Sequence, residues 1–280
     1  MVNIISIPRL SIALVTRNRS EQLNCCLESV RSQNVQPWEI VVSDDSTGEE
    51  SLKTAEVAQK WGCRYVRGPR RGLYANRNFA ALACQGSHVR TMDDDHILPP
   101  NHLALCEEAI ATDPEVIWTT GEVGFVDRKF SGEAKTAQQL CPAGVGAMVT
   151  DLDDNWAIAD GSTIYPRVIF EQGYRLLENY CYGSSYLEFG AYLYNRGFRS
   201  RCIRGAYVEH YANNATVNRY DSEAVESWFF ASLCYNLYFK VNYALALKYI
   251  ASYSWRLRGV EMPGKMVQKL LKRAKKRWQN

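Results

Sequence analysis

The chain has 280 residues, 46% of them hydrophobic and 12% aromatic, with 33 basic and 30 acidic side chains and a net charge of +3. That is enough apolar material for one large domain, or one domain with a helical extension, and it excludes a disordered chain. The charge is too small to argue for a nucleic-acid partner.

Nine cysteines, an odd number with no C-x-x-C pair, argue against a disulfide framework and for a reduced, cytoplasmic chain. The first residues, MVNIISIPRLSIALV, lack a basic start and a cleavage site, so no signal peptide is expected. The longest apolar stretch, residues 228–251, is interrupted by Asn236, Lys240, Asn242 and Lys248, which argues against a membrane span.

Strand and helix patterns alternate through the first 120 residues. Residues 11–15 form a short apolar run that predicts a buried strand. Ser20 is placed to cap a helix carrying Leu23, Leu27 and Val30 at helical spacing. Strands are predicted over 39–43, 64–67, 87–92 and 116–120, and helices over 53–61, 76–84 and 101–111. This order implies an α/β fold: a mostly parallel sheet with helices on both faces. Residues 121–165 read as loop-rich with short strands. Helices follow over 168–173 and 186–197, the second closed by Gly197, then a strand over 201–208. From Asp221 the pattern is helical.

In such sheets ligands bind beyond the carboxyl ends of the strands. Three polar clusters fall there: Thr16 to Arg19, Asp44-Asp45-Ser46, and the triplet Asp93-Asp94-Asp95. Three adjacent carboxylates repel one another and are costly to bury unpaired. Their placement after a strand points to a divalent cation with a phosphate ligand. Arg17 and Arg19 suit phosphate and base-edge contacts.

The segments SIALVTRNR, EIVVSDDS, NRNFAALACQG and TMDDDHILP, in this order, resemble family 2 glycosyltransferases with the GT-A (Rossmann-like) fold, over roughly residues 10–212. The resemblance implies inverting transfer of a sugar from a UDP- or GDP-linked donor to a glycan or lipid-linked acceptor, assisted by Mn2+ or Mg2+. It makes Asp93 and Asp95 the D-x-D pair, with Asp95 the direct metal ligand and Asp93 facing the ribose or metal-bound water. Asp94 is grouped with the donor side, though its carboxylate can point elsewhere. Asp44 and Asp45 fall where base and ribose are recognised, with a turn role as the alternative. Arg77 and Asn78 lie beside the nucleotide, with Asn78 equally able to act as a structural amide. His210 is expected at the metal, and His96 behind it.

The catalytic base is less defined. Ser185 and Tyr186 stand where the family carries an E-D pair. Glu188 is then the expected base, with Asp160 as substitute; the alternative for Glu188 is an ion pair with Arg196 or Arg199. Trp156 and Arg167 are expected on the acceptor side, Trp156 as a stacking platform or a half-buried core residue.

The expected organisation is a GT-A domain over 1–215 (nucleotide-binding half 10–120, acceptor-binding half 121–215) and a helical extension over 216–280. After Glu261 there is no acid, and seven basic residues cluster from Lys265 to Arg277. With Val267, Leu270, Leu271, Ala274 and Trp278 at helical spacing, 265–278 reads as a basic amphipathic helix. It is expected either on an anionic membrane surface, as a peripheral contact, or packed on the catalytic domain. Two rival readings remain. A sugar nucleotidylyltransferase wants a glycine-rich loop where this chain has TRNRS. A non-catalytic nucleotide-sugar or glycan-binding protein would account for the missing E-D pair.

Overall fold

The computed structural model describes residues 8–180, 182–212, 221–260 and 262–279. The first half runs β1 (Leu10–Thr16), α1 (Ser20–Arg31), β2 (Glu39–Asp44), α2 (Gly48–Lys60), β3 (Arg64–Arg67), α3 (Leu73–Ala83) and β4 (His88–Asp93). Then come β5 (His96–Ile97), α4 (His102–Thr112), β6 (Ile117–Val126) and β7 (Lys129–Ala134). The short strands β8 (Gln138–Leu140) and β9 (Gly146–Met148) pair as a separate ribbon. The chain returns through β10 (Thr163–Pro166), α5 (Val168–Glu171), α6 (Ser185–Tyr194) and β11 (Ser200–Ala212). The last segment carries α7 (Ser222–Cys234), a π-helical turn (Tyr235–Phe239), α8 (Tyr243–Arg256) and α9 (Pro263–Gln279).

The central sheet has the order β3-β2-β1-β4-β10-β6-β11-β5, with β7 paired to β6. β3, β2, β1 and β4 are mutually parallel, as are β6 and β11. β10 runs antiparallel between β4 and β6. Residues of β1 alternate between two cores, as a strand covered on both faces must. Leu10, Ile12 and Leu14 meet Leu23, Leu27 and Val30 of α1 and Leu103 and Ile110 of α4. Ala13 and Val15 face the other core, with Tyr74 of α3, Phe189 of α6 and the C-terminal helices. The predicted α/β fold with helices on both faces and a helical C-terminal region is therefore present.

Parallel register decides where the polar ends go. Thr16 lies beside Asp44, and Val15 beside Asp93, so three strand ends open on one edge of the sheet. Two local expectations change. Ser20 does not cap α1; its hydroxyl donates to Glu50 at 3.0 Å, and Arg19 takes the cap position without a side-chain bond. β6 extends well past the predicted end at 120, because the hairpin with β7 and the long pairing with β11 carry it onward.

α9 settles the choice between membrane and packing for its apolar face. Met266, Leu270, Ala274 and Trp278, four residues apart, are buried against the sheet side of the molecule. The Trp278 ring meets Tyr192 of α6 edge-on at 5.5 Å. The apolar stripe of 265–278 is thus packed against the rest of the molecule, and the exposed positions of this stretch are polar, chiefly basic residues such as Lys272, Lys275 and Lys276. The boundary expected near 215 lies outside the described residues. Among the described residues no helix is long and apolar enough to cross a membrane.

Candidate active site

A cleft of about 560 Å3 opens at the carboxyl ends of β1, β2 and β4. Its lining includes Thr16, Arg17 and Arg19 after β1, Asp45 after β2, Asn76 on α3, and Asp93, Asp94 and Asp95 after β4. Asp160, Tyr182 and His210 close it from the second half.

The aspartate triplet divides by contact. Asp94 is buried and accepts from Thr16 Oγ1 at 2.6 Å and Arg19 Nη1 at 3.1 Å. Burial and the neighbouring Asp95 charge push its carboxyl up to about 7, against the pull of Arg19. It ties the end of β1 to the end of β4 while still lining the cleft. Asp95 takes the same guanidinium at 2.8 Å. Arg19 is therefore engaged by two acids, while Arg17 stays exposed on the cleft wall, its charge reaching Asp45.

Asp93 receives Arg77, whose Nε lies 3.2 Å from Oδ1 and whose Nη2 pairs with Oδ2. The same buried guanidinium pairs with Asp160. Burial works against charge on Asp93, but Arg77 outweighs it and lowers this carboxyl. Asp160 goes the other way: burial raises it and Asp93 adds to that, over the opposing Arg77. Gly161 makes the approach possible. Its φ is +74°, and a Cβ there would meet the Asp93 carboxylate at 2.6 Å.

Behind Asp95 lie two imidazoles. β5 and β11 pair antiparallel with His96 opposite His210, which brings both rings to one spot, centroids 5.0 Å apart. Donor atoms of Asp95, His96 and His210 all fall within 4.8 Å of one another. His210 Nδ1 contacts Glu122 at 3.0 Å, and Nε2 faces Asp95 Oδ1 at 3.8 Å. Burial opposes charge on His210, yet Glu122 and Asp95 raise it to about 9. His96 is held low by burial, hence neutral, the form that binds metal. A carboxylate and two imidazoles, one oriented from behind by a carboxylate, are a chemically sound donor set for a divalent cation. The geometry thus groups His96 with Asp95 and His210.

Asp45 lines the cleft, held by the Arg70 N–H at 2.8 Å, and burial raises its carboxyl. Gly68 packs so closely on it that a Cβ would sit 2.2 Å from its Oδ1 and 2.5 Å from Asn76 Oδ1. Asn76 opens, with Arg77 and Asn78, the segment that the resemblance places beside the nucleotide; Tyr182 was not singled out by sequence. The signal for Asn76 was its place at the start of α3, one residue before Arg77.

Five expected residues are not brought to the cleft. Asp44 is fully buried and accepts from the Ser46 N–H at 2.7 Å and Tyr65 Oη at 2.8 Å, so it shapes the turn. Asn78 is the structural amide, exchanging bonds with the Leu176 backbone in both directions. Glu188 is fully buried and accepts from Arg277 Nε and Nη2, each at 3.2 Å, and Trp278 Nε1 at 2.9 Å. It anchors α9 and has no route to an acceptor hydroxyl. Trp156 donates to the Leu140 carbonyl at 2.9 Å and packs among Tyr194, Phe239 and Lys240. Arg167 follows Pro166, which pairs with His88 at the opposite end of β4, and binds Glu171. About 3.3 Å per residue along β4 places it roughly 16 Å from the triplet. Ser185 and Tyr186, at the position of the E-D pair, offer no carboxylate. That leaves Asp160 as the carboxylate that the second half presents to the cleft.

The fold aligns with the structure of GalNAc-T7 with UDP, GalNAc and Mn2+ at a TM-score of 0.66 and 16% identity, covering 84% of this chain and 49% of that one. It aligns with S. aureus TarS 1-349 in complex with UDP-GlcNAc at 0.60 and 14%, covering 96% and 78%. At these identities the likeness speaks for fold alone, and the fold is GT-A.

In sequence, the chain is 25% identical to the chondroitin synthase of Escherichia coli over 151 residues, 48% of this chain and 22% of that protein. It is 29% identical to the GalNAc(5)-diNAcBac-PP-undecaprenol beta-1,3-glucosyltransferase of Campylobacter jejuni over 96 residues, 31% of this chain and 30% of that one. The chain thus matches less than a third of the length of either relative. The description "Glycosyl transferase family 2" matches residues 11–174, more than half of the chain, and the protein belongs to that family.

Proposed function

We propose that the protein is a metal-assisted inverting glycosyltransferase that moves a sugar from a nucleoside-diphosphate donor to a glycan or lipid-linked acceptor. The observation that carries this reading is the convergence of Asp45, Asp93, Asp95 and the His96–His210 pair in one cleft. A uridine-linked donor takes precedence over a guanosine-linked one, because the similar structures named above hold UDP or UDP-GlcNAc. The two relatives suggest both acceptor classes, a glycan polymer and a polyprenyl-diphosphate-linked glycan.

Asp95, His96 and His210 would hold the cation; imidazole ligands favour Mn2+ over Mg2+, which prefers an all-oxygen shell. When bound, it neutralises charge on the departing diphosphate. Asp45 accepts from base or ribose, and Arg17 faces phosphate. Asp160, its carboxyl raised by burial, takes the acceptor hydroxyl proton. The eight described cysteines are all free thiols, which favours a cytoplasmic setting.

Thermal shift with UDP tests the donor site. UDP stabilises the wild type with Mn2+ and much less without it, whereas Asp95→Ala abolishes the difference. Equal stabilisation of the wild type with and without metal overturns the reading. The missing E-D pair favours a second reading, a sugar-nucleotide-binding protein without turnover. Slow UDP-sugar hydrolysis that disappears in Asp160→Asn decides against it.

A further inference from the structure

The apolar face of α9 is covered, but that of α8 is not. Tyr243, Leu247 and Trp255 recur on a four-residue spacing, which places them on one stripe of the helix. Leu247 is 68% and Trp255 66% exposed, while the opposite side of α8 buries Ala246 and Tyr253. Val241 before the helix, and Val260 and Met262 after it, are also exposed and extend the patch at both ends. Large apolar side chains clustered in this way mark an interaction surface rather than ordinary surface scatter.

Charge identifies the occupant. From Ser227 to the C-terminus the sequence holds eleven basic residues and one acid, Glu261. Several of the cations border the apolar stripe: Lys248 follows Leu247, and the Arg258 guanidinium stacks 4.4 Å from the Trp255 ring centre. Lys265 lies three residues past Met262. A second copy of the chain joined through this face would set these cations against themselves. An anionic lipid surface is complementary to both features: headgroup charge for the cations and acyl boundary for Leu247 and Trp255.

We propose that the exposed face of α8, with its basic border, docks the protein on an anionic phospholipid bilayer as an interfacial contact. The contact is made by α8 rather than by the apolar stripe of α9, and it does not depend on the donor reading above.

The test is co-sedimentation of the full chain with phosphatidylglycerol-containing vesicles and with pure phosphatidylcholine vesicles. Binding is expected to the anionic vesicles. It should fall about tenfold or more in Leu247→Glu/Trp255→Glu, with the melting temperature unchanged. In the wild type, brominated lipids should quench part of the tryptophan emission, and Trp255→Phe should remove that part. This readout keeps the proposal falsifiable if the double variant fails to fold. No binding by the wild type, no Trp255-dependent quenching, or undiminished binding by a folded double variant overturns the proposal. So does a dimer that the double variant disrupts, without vesicle binding, since that outcome makes the face a contact between copies.

Discussion

Two of the places where carboxylates meet guanidinium groups in this molecule have opposite balance. In the cleft five aspartates, Asp45, Asp93, Asp94, Asp95 and Asp160, face Arg17 and Arg19, with Arg77 behind them. Under α9 one carboxylate, Glu188, has one guanidinium, Arg277, and an indole N–H to complete its shell. Glu188 is satisfied and closed to water. The cleft carboxylates exceed their counter-charges, remain partly open, and leave two imidazoles aimed at the same spot. An acid with full partners holds structure; a surplus of acids beside imidazole donors is room for a cation. The contrast assigns chemistry to one cluster and stability to the other.

Exchanging the roles of Asp160 and Glu188 is the strongest way to break that contrast. Asp160→Asn keeps the shape of the side chain and removes the proton acceptor. Turnover should drop by about 10²–10⁴-fold, the usual worth of a positioned base, with UDP affinity nearly unchanged. Steady-state kinetics beside a UDP titration checks this. A variant with near-normal kcat ends the assignment of Asp160.

Glu188→Gln should do the reverse. It leaves Arg277, itself mostly buried, without its counter-charge. Breaking a buried pair by removing one partner costs about 3–5 kcal/mol. Chemical denaturation should register most of that loss, while kcat per folded molecule stays close to wild type. Loss of activity at full stability would instead restore Glu188 as the base.

The same contrast explains what was legible in the sequence. The donor side rests on strand ends, and short apolar runs fix the ends of buried strands within a residue or two. Asp45, Asp93, Asp95 and Arg17 could therefore be placed at the cleft by position alone, whereas Arg77, on α3, was placed by the family resemblance. Asp44 and Asp45 look identical in sequence, and only the turn decides which one faces Tyr65 and which the cleft. Asn78 spends its amide on Leu176, and Glu188 its carboxylate on Arg277, each partner about ninety or more residues away. No local pattern carries such contacts. His96 had a usable signal, since a histidine directly after the triplet needs only a short strand pairing to reach His210. The helical spacing of α9 was readable, but not the surface it would cover.

A third cluster, a buried guanidinium beside an imidazole, sharpens the comparison at the smallest scale. Arg90 is fully buried on β4 and donates to the Thr91 carbonyl at 3.2 Å; its Nη2 lies 2.9 Å from His102 Nε2. Among the described residues this guanidinium forms no ion pair with a carboxylate, so a proton on His102 would place two positive charges together in the core. Burial, then Arg90, pushes His102 down to about 3. In the unfolded chain a histidine titrates near 6.5. Between those values the unfolded state binds a proton that the folded state does not, so stability falls as pH drops. The loss approaches about 1.4 kcal/mol per pH unit from this residue well below 6.5. His102→Gln, an amide able to accept from Arg90, should flatten the acid limb of a stability–pH profile between about 6 and 4. An unchanged slope would mean that His102 already carries its proton in the fold, with a counter-charge drawn from elsewhere in the core.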